Sequence, residues 1–182
     1  MQEIIKTLQN GGTILYPTDT IWGIGCDATN IEAIEKVAKI KNRDTAKSFI
    51  ILVENEKRLQ DLVEVPAIAW DIIDVSEKPI TIIYDNPRNL PKVLLAKDGS
   101  IGIRLVKDKL CKQIIGKLNK PLVSTSANLS GEKSPVQFSD ISKRIIESVD
   151  AIVEENQNQK SKYSASSIIK ISADNTVKVI RE

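Results

Sequence analysis

Four stretches of the chain carry side chains suited to chemistry. Thr18-Asp19-Thr20 follows a short apolar run and Pro17, and sets two hydroxyls beside a carboxylate. Lys41, Arg43 and Lys47 come just past a helical pattern. Arg104 stands inside the apolar run Ser100 to Val106, where a charge costs free energy unless it finds a partner. Ser124 to Gly131, STSANLSG, follows another apolar run and holds more hydroxyl and amide groups than one turn requires. Such groups supply donors to phosphate oxygens or a sugar, while cations offset phosphate charge. Each stretch also has a plainer reading. Thr18 and Asp19 alone would make local hydrogen bonds in a turn, and the basic residues alone would be a solvated helix end complementing the macrodipole. Because open α/β sheets place ligands in crevices outside strand ends, the four stretches are expected to converge there.

Periodicity gives the elements that must position them. Residues 2 to 10 read as a helix stopped by Gly11-Gly12, and Thr13 to Tyr16 as a strand ended by Pro17. Gly23 and Gly25 are read as permitting turns in a loop that leads to Asn30, the cap of a helix over Ile31 to Ile40. That helix turns Ile31, Ile34, Val37 and Ile40 inward and is expected to leave Lys41, Arg43 and Lys47 at a rim. Ser48 to Val53 has the continuous apolar character of a central strand. Glu54 to Val63 and the segment opened by Pro66 read as helices, the latter carrying Ile68, Ile72 and Ile73 inward. Strands follow at Pro79 to Tyr84 and Ser100 to Val106, separated by a loop over Asn86 to Asp98. In the second of these, alternation puts Ile101, Ile103 and Leu105 on one face and Gly102 and Arg104 on the other, so Arg104 should face solvent or a cleft. Lys107 to Leu118 is helical, Pro121 to Val123 a brief strand, and Ser139 to Ser148 a helix capped by Ser139. Ala151 to Val153, Ser166 to Ile171 and Thr176 to Ile180 read as strands, with a polar loop over Glu154 to Tyr163. The mixture implies an α/β domain with a mixed sheet.

Composition narrows the chemistry. The chain has 182 residues, enough for one domain with a real core, and none is histidine. A histidine base or ligand, and with it a Ser-His-Asp or Cys-His nucleophile, is excluded. Cys26 and Cys111 lack metal-ligand spacing and read as buried small hydrophobes. A net charge of +2 does not by itself mark a nucleic-acid binder. No apolar run has membrane-spanning length, and the amphipathic start at Ile4, Ile5 and Leu8 has no signal-peptide pattern, so a cytoplasmic location away from membranes is expected. No Walker A sequence occurs. GIGCDA, Gly23 to Ala28, matches a dinucleotide fingerprint, which would make the protein a nicotinamide-dependent enzyme, but PTDTIW intervenes after the strand and the helix opens only near Ile31. It reads as a chance match.

YPTDTIWGIG, KNRDTAK, SIGIRLV, STSANLSG and SASSIIKI, in this order, resemble the successive signatures of the YrdC (TsaC) family of threonylcarbamoyl-AMP synthases. The resemblance runs from about residue 10 to the end. Its Lys-x-Arg and Ser-x-Asn elements are Lys41, Arg43, Ser126 and Asn128, and relatives resembling YciO tend to lose the second. The departures are Ser48 where proline is usual, Trp22 for tyrosine, and Glu154 to Gln157 where Asp-Gly-Gly is frequent. The resemblance implies a single domain over residues 1–182, without the extra C-terminal domain of longer relatives, built as a twisted sheet with flanking helices and a basic concave cleft. It further implies that L-threonine, bicarbonate and ATP are converted to threonylcarbamoyl-AMP and pyrophosphate, the first step in making tRNA threonylcarbamoyladenosine. Lys41, Arg43, Ser126 and Asn128 would form the catalytic cluster. Arg43, Lys47, Ser100, Ser126, Ser134 and Arg181 would contact ATP, and Thr20, Arg104, Ser124 and Ser166 would hold threonine. Magnesium is expected to arrive with ATP, with no all-protein metal site. Implied partners are tRNA or double-stranded RNA and a downstream threonylcarbamoyl transferase. The alternatives are an RNA-binding module, or a YciO-like paralogue without synthase activity.

Overall fold

A computed structural model describes residues 1–42, 49–158, 160, 161, 163, 165–172 and 175–182. Arg43, Lys47 and Ser48, which carry sequence-based expectations, lie outside the described residues. Strands β1 (Ile14–Tyr16), β2 (Gly23–Asp27), β3 (Ile50–Val53), β4 (Ile80–Tyr84), β5 (Ile101–Leu105), β6 (Leu122–Ser126), β7 (Ala151–Ile152), β8 (Ser167–Ile171) and β9 (Val177–Arg181) form one mixed sheet. Its order is β7-β1-β2-β6-β3-β5-β4-β8-β9, so β3 is indeed central.

One sheet face is covered by α2 (Ile31–Ile40), α3 (Glu56–Leu62), α4 (Ala67–Val75) and α6 (Lys143–Ser148). Ile34 and Val37 of α2, Leu59 of α3, Ala69 of α4 and Ile145 of α6 meet Leu15, Ile24, Ile51, Ile103 and Val123 there. The opposite face is covered by α1 (Gln2–Gln9) and α5 (Lys109–Leu118), whose Ile4, Leu8, Ile114 and Ile115 pack on Ile14, Tyr16, Leu52 and Leu122. Among the described residues no helix is long and apolar enough to cross a membrane.

Local chemistry accounts for many boundaries. The Asn30 side chain accepts from Ala33 N at 3.0 Å and starts α2, and Asp108 accepts from Cys111 N at 2.8 Å and starts α5. The helix expected from Ser139 is shorter. Asp140 accepts from Val136 N and Gln137 N at 3.1 and 3.3 Å, which closes a 3-10 turn over Phe138–Asp140. Ile141 is then extended, so α6 restarts with Ser142 as its cap. The loop over Asn86 to Asp98 also contains a 3-10 turn at Lys92–Leu94.

Two expectations about the site are corrected at the level of strands. Gly23 and Gly25 do not make turns but belong to β2, paired with β1 and β6. A Cβ on Gly25 would come 2.7 Å from both Tyr16 Cε1 and Val123 O, so glycine lets the Tyr16 ring lie across the strand. Likewise β6 extends through Ser126, and Ser124, Thr125 and Ser126 are strand residues rather than loop residues. With GIGCD inside a sheet and α2 starting at Ile31, the strand-turn-helix geometry of a dinucleotide fingerprint is missing.

Candidate active site

Helices α1 and α5 leave part of their sheet face uncovered, and small side chains hollow it. Register places Gly25, Ser124, Ile50 and Gly102 in one row across β2, β6, β3 and β5, with Ile83 of β4 next to Gly102. Gly23, Ser124, Ile50, Gly102 and Ile83 floor a cavity of about 250 Å³. Its wall comes from Thr18 and Thr20 in the β1-β2 loop, Phe49 before β3, and Thr81 on β4. Arg104, Thr125, Ser126, Ser134, Ser166 and Arg181 complete the polar lining, whose charged members among the described residues are the two arginines.

Seven of the residues expected to act together therefore do converge: Thr20, Arg104, Ser124, Ser126, Ser134, Ser166 and Arg181 all line this one cavity. Arg104 points off the β5 face that lacks Ile101 and Ile103, as strand alternation requires, and is 4% exposed. Its Nη1 donates to Thr20 Oγ1 at 3.3 Å, and its Nη2 lies 3.2 Å from Asp19 Oδ1 in an ion pair. Proton accounting fixes the Thr20 hydroxyl. Thr18 Oγ1 donates to Ile21 O at 2.8 Å, so in the 2.9 Å Thr18–Thr20 contact Thr20 must be the donor. With its proton on Thr18 and one lone pair taken by Arg104, Thr20 Oγ1 offers a ligand one acceptor position.

On the opposite wall Thr81 Oγ1 and Ser166 Oγ are 2.9 Å apart. Arg181 donates to Ser166 O through Nε at 3.0 Å and Nη2 at 2.7 Å, tying β9 to the segment before β8. Burial and the neighbouring Arg104 lower the Arg181 pKa from its ordinary value. Burial raises the Asp19 pKa, an effect opposed by Arg104 and reinforced by Asp108. The Tyr16 phenol, beneath β2, is likewise pushed up by burial.

Other expected site residues are placed differently. Lys41 is not at a rim: it is 3% exposed, and its ammonium donates to Ser126 O and, at 2.6 Å, to Asn128 O. Ser126 Oγ and Asn128 Oδ1 lie at 3.4 and 3.3 Å from the same nitrogen. The residue just past α2 thus grips the end of β6, because the chain leaving β6 runs beside the helix C-terminus. Asn128 contributes to that clasp and donates to Glu132 O at 2.6 Å, and it is not among the cavity-lining residues. Ser100 also lies off the lining, its hydroxyl donating to Asp98 Oδ1 at 2.6 Å. Cys26 and Cys111 are buried and free. Sequence reasoning treated Asp19 as a turn residue and missed its pairing with Arg104; the need of a strand arginine for a counter-charge was the signal available.

Comparison with known proteins agrees with this architecture. The Sua5/YciO/YrdC family model, described as "Telomere recombination", matches residues 6–182. A threonylcarbamoyl-AMP synthase of Pseudoalteromonas translucida is 32% identical over 155 residues, 83% of this chain and 83% of that protein. A putative threonylcarbamoyl-AMP synthase of Methanocaldococcus jannaschii is 34% identical over 176 residues, 96% of this chain and 81% of that protein. Among solved structures, P. abyssi Sua5 complexed with L-threonine has a TM-score of 0.87 at 19% identity, covering 99% of this chain. The match takes in 53% of Sua5, so this chain spans about half its length, and the likeness is one of fold. From the extent of the family match and the identity to these relatives, the chain belongs to the Sua5/YciO/YrdC family.

Proposed function

We propose that the protein makes threonylcarbamoyl-AMP and pyrophosphate from L-threonine, bicarbonate and ATP, supplying an activated group for tRNA modification. The observation that carries this reading is the convergence of Arg104, Thr20, Ser124 and Ser166 with Ser126, Ser134 and Arg181 on one cavity. Threonine brings a carboxylate suited to Arg104, and its amine or hydroxyl suits the single acceptor position of Thr20. Ser124 on the cavity floor and Ser166 beside Thr81 would complete the threonine set. Ser126, Ser134 and Arg181 would meet ATP phosphates and ribose, with Arg43, Lys47 and Ser100 assigned to ATP by the family resemblance. Lys41 and Asn128 would act by holding the end of β6 and Ser126 in place.

The threonine amine and bicarbonate condense with loss of water to a carbamate. A carbamate oxygen then forms a bond to the α-phosphorus of ATP as the bond to pyrophosphate breaks. No histidine and no covalent enzyme intermediate is needed, so the protein contributes alignment and cationic compensation of phosphate charge. Among the described residues the cavity lining has no carboxylate, and no group of three or more His, Cys, Asp or Glu is placed to hold a metal. That donor set fits magnesium carried on the triphosphate's own oxygens, where it would supply further charge neutralisation.

The test is product analysis. Pyrophosphate release from ATP is expected to require both L-threonine and bicarbonate, with threonylcarbamoyl-AMP detected by mass spectrometry. Equal release without threonine would replace this reading with a generic ATPase, and salt-sensitive RNA binding with no turnover would replace it with an RNA-binding module.

A further inference from the structure

The guanidinium of Arg104 is buried, and its three nitrogens are unequally used. Nη1 is on Thr20, and Nη2 is ion-paired with Asp19 Oδ1 at 3.2 Å without a hydrogen bond between them. Neither the buried Nε nor the buried Asp19 Oδ1 has a hydrogen-bond partner among the described residues. A guanidinium carries five N–H donors in one plane, so fixing the two terminal nitrogens fixes the direction of the Nε edge. On that edge Nε–H and the adjacent N–H of Nη2 are the pair of donors a carboxylate can accept side by side.

Asp19 does not belong to the cavity that holds the other site residues. It lines a separate cavity of about 170 Å³ beyond β5, with Leu105, Lys107 and Ile73 among its neighbours. Its carboxylate therefore reaches the substrate cavity through Arg104. The loop that presents it is pinned on both sides: Thr18 Oγ1 accepts from Thr20 N at 3.0 Å and donates to Ile21 O. Asp108, a like charge, opposes ionisation of Asp19, while Arg104 favours it. Arg104 is the ion-pair partner of Asp19 among the described residues, and a guanidinium buried to this degree needs such a counter-charge.

We propose that Asp19 is a positioning residue for substrate recognition: by holding Nη2 of Arg104 it keeps the Nε edge aimed at the carboxylate of an amino-acid substrate. The inference rests on the amino-acid reading of the cavity given above. A carboxylate that meets a pre-aimed guanidinium does not have to organise it on binding. Because the carboxylate is remote from the reacting carbamate oxygen, loss of this alignment should weaken ground-state and transition-state binding equally. The effect should then fall on the KM for threonine and leave kcat alone.

Asp19→Asn keeps the side-chain size and removes the charge. Steady-state kinetics are expected to show the threonine KM raised by roughly tenfold or more, the scale of one charge-assisted contact, with kcat and the ATP KM within about twofold. Arg104→Gln supplies the control for mechanism. In its background Asp19→Asn should change threonine binding, measured by calorimetry, by less than about twofold, because the group through which Asp19 acts has gone. Asp19→Glu, which keeps the charge but displaces it by one methylene, should give a smaller threonine-selective rise and takes over the test if Asp19→Asn does not fold. Unchanged threonine KM, equal losses for threonine and ATP, or additive losses with Arg104→Gln would overturn the role of Asp19. A wild-type protein that releases pyrophosphate without threonine would overturn the amino-acid reading itself, and the two failures are separate.

Discussion

Truncating Lys41 to alanine distinguishes a decorative helix-end charge from a buried clasp. At a solvated helix end the change would cost well under ~1 kcal/mol. In the structure Lys41 is 3% exposed and its ammonium donates to the carbonyls of Ser126 and Asn128. Removing it takes a charged donor from Asn128 O and from Ser126 O, which keeps the Asn128 N–H at 2.9 Å, and hydrogen bonds to a charged group are worth about 1.5–3 kcal/mol each. Release of the lysine from its own desolvation, and partial access of water, return some of this, so a net loss of about 2–4 kcal/mol is expected. A chain of 182 residues loses about 2–4 °C of thermal midpoint per kcal/mol, which converts to a fall of roughly 5–15 °C. Lys41→Met, which keeps the apolar stem but has no donor, should recover little of it. Calorimetric unfolding of both variants, beside turnover at saturating substrates, is the assay, and turnover should fall because Ser126 and Asn128 lose their anchor. A midpoint for Lys41→Ala within about 2 °C of wild type would refute the clasp and return Lys41 to a surface role.

Arg104→Lys keeps the charge but loses the planar fork that reaches Thr20 and a ligand carboxylate together; threonine affinity should drop by about 1–3 kcal/mol with ATP affinity nearly constant. Calorimetric titration of each ligand checks this, and equal losses would contradict the assignment of Arg104 to threonine. Gly25→Ala sets a methyl 2.7 Å from the Tyr16 ring and 2.7 Å from Val123 O, and backbone on the second side cannot swing away. Urea unfolding should show at least about 2 kcal/mol of destabilisation, whereas Gly102→Ala, whose Cβ would meet Thr81 Cγ2 at 3.2 Å, should cost less. A neutral Gly25→Ala would mean that Tyr16 has room to move off β2.

Much of this protein follows from short-range sequence rules. The helix Ile31–Ile40 has its Asn30 cap and its inward Ile34 and Val37 because capping and 3.6-residue periodicity involve neighbours in the chain. Strand β5 turns Arg104 away from Ile101 and Ile103 because alternation is a property of extended backbone itself. The seven cavity residues were named from their types, their positions and a family resemblance, and the tertiary structure decided that they meet. It also decided what local rules read wrongly. Gly-Ile-Gly-Cys-Asp has weak strand character, yet it is a strand because Tyr16 needs glycine opposite its ring and β6 supplies partners about a hundred residues later in the chain, Gly25 facing Ser124. Lys41 follows a helix and so reads as solvated, yet the end of β6 covers it and takes its donors. Asp19 reads as a turn residue, yet the counter-charge it provides lies 85 positions away at Arg104. In each case the deciding partner is distant in sequence, and a residue's neighbours along the chain do not encode which buried charge or carbonyl the fold will bring to it.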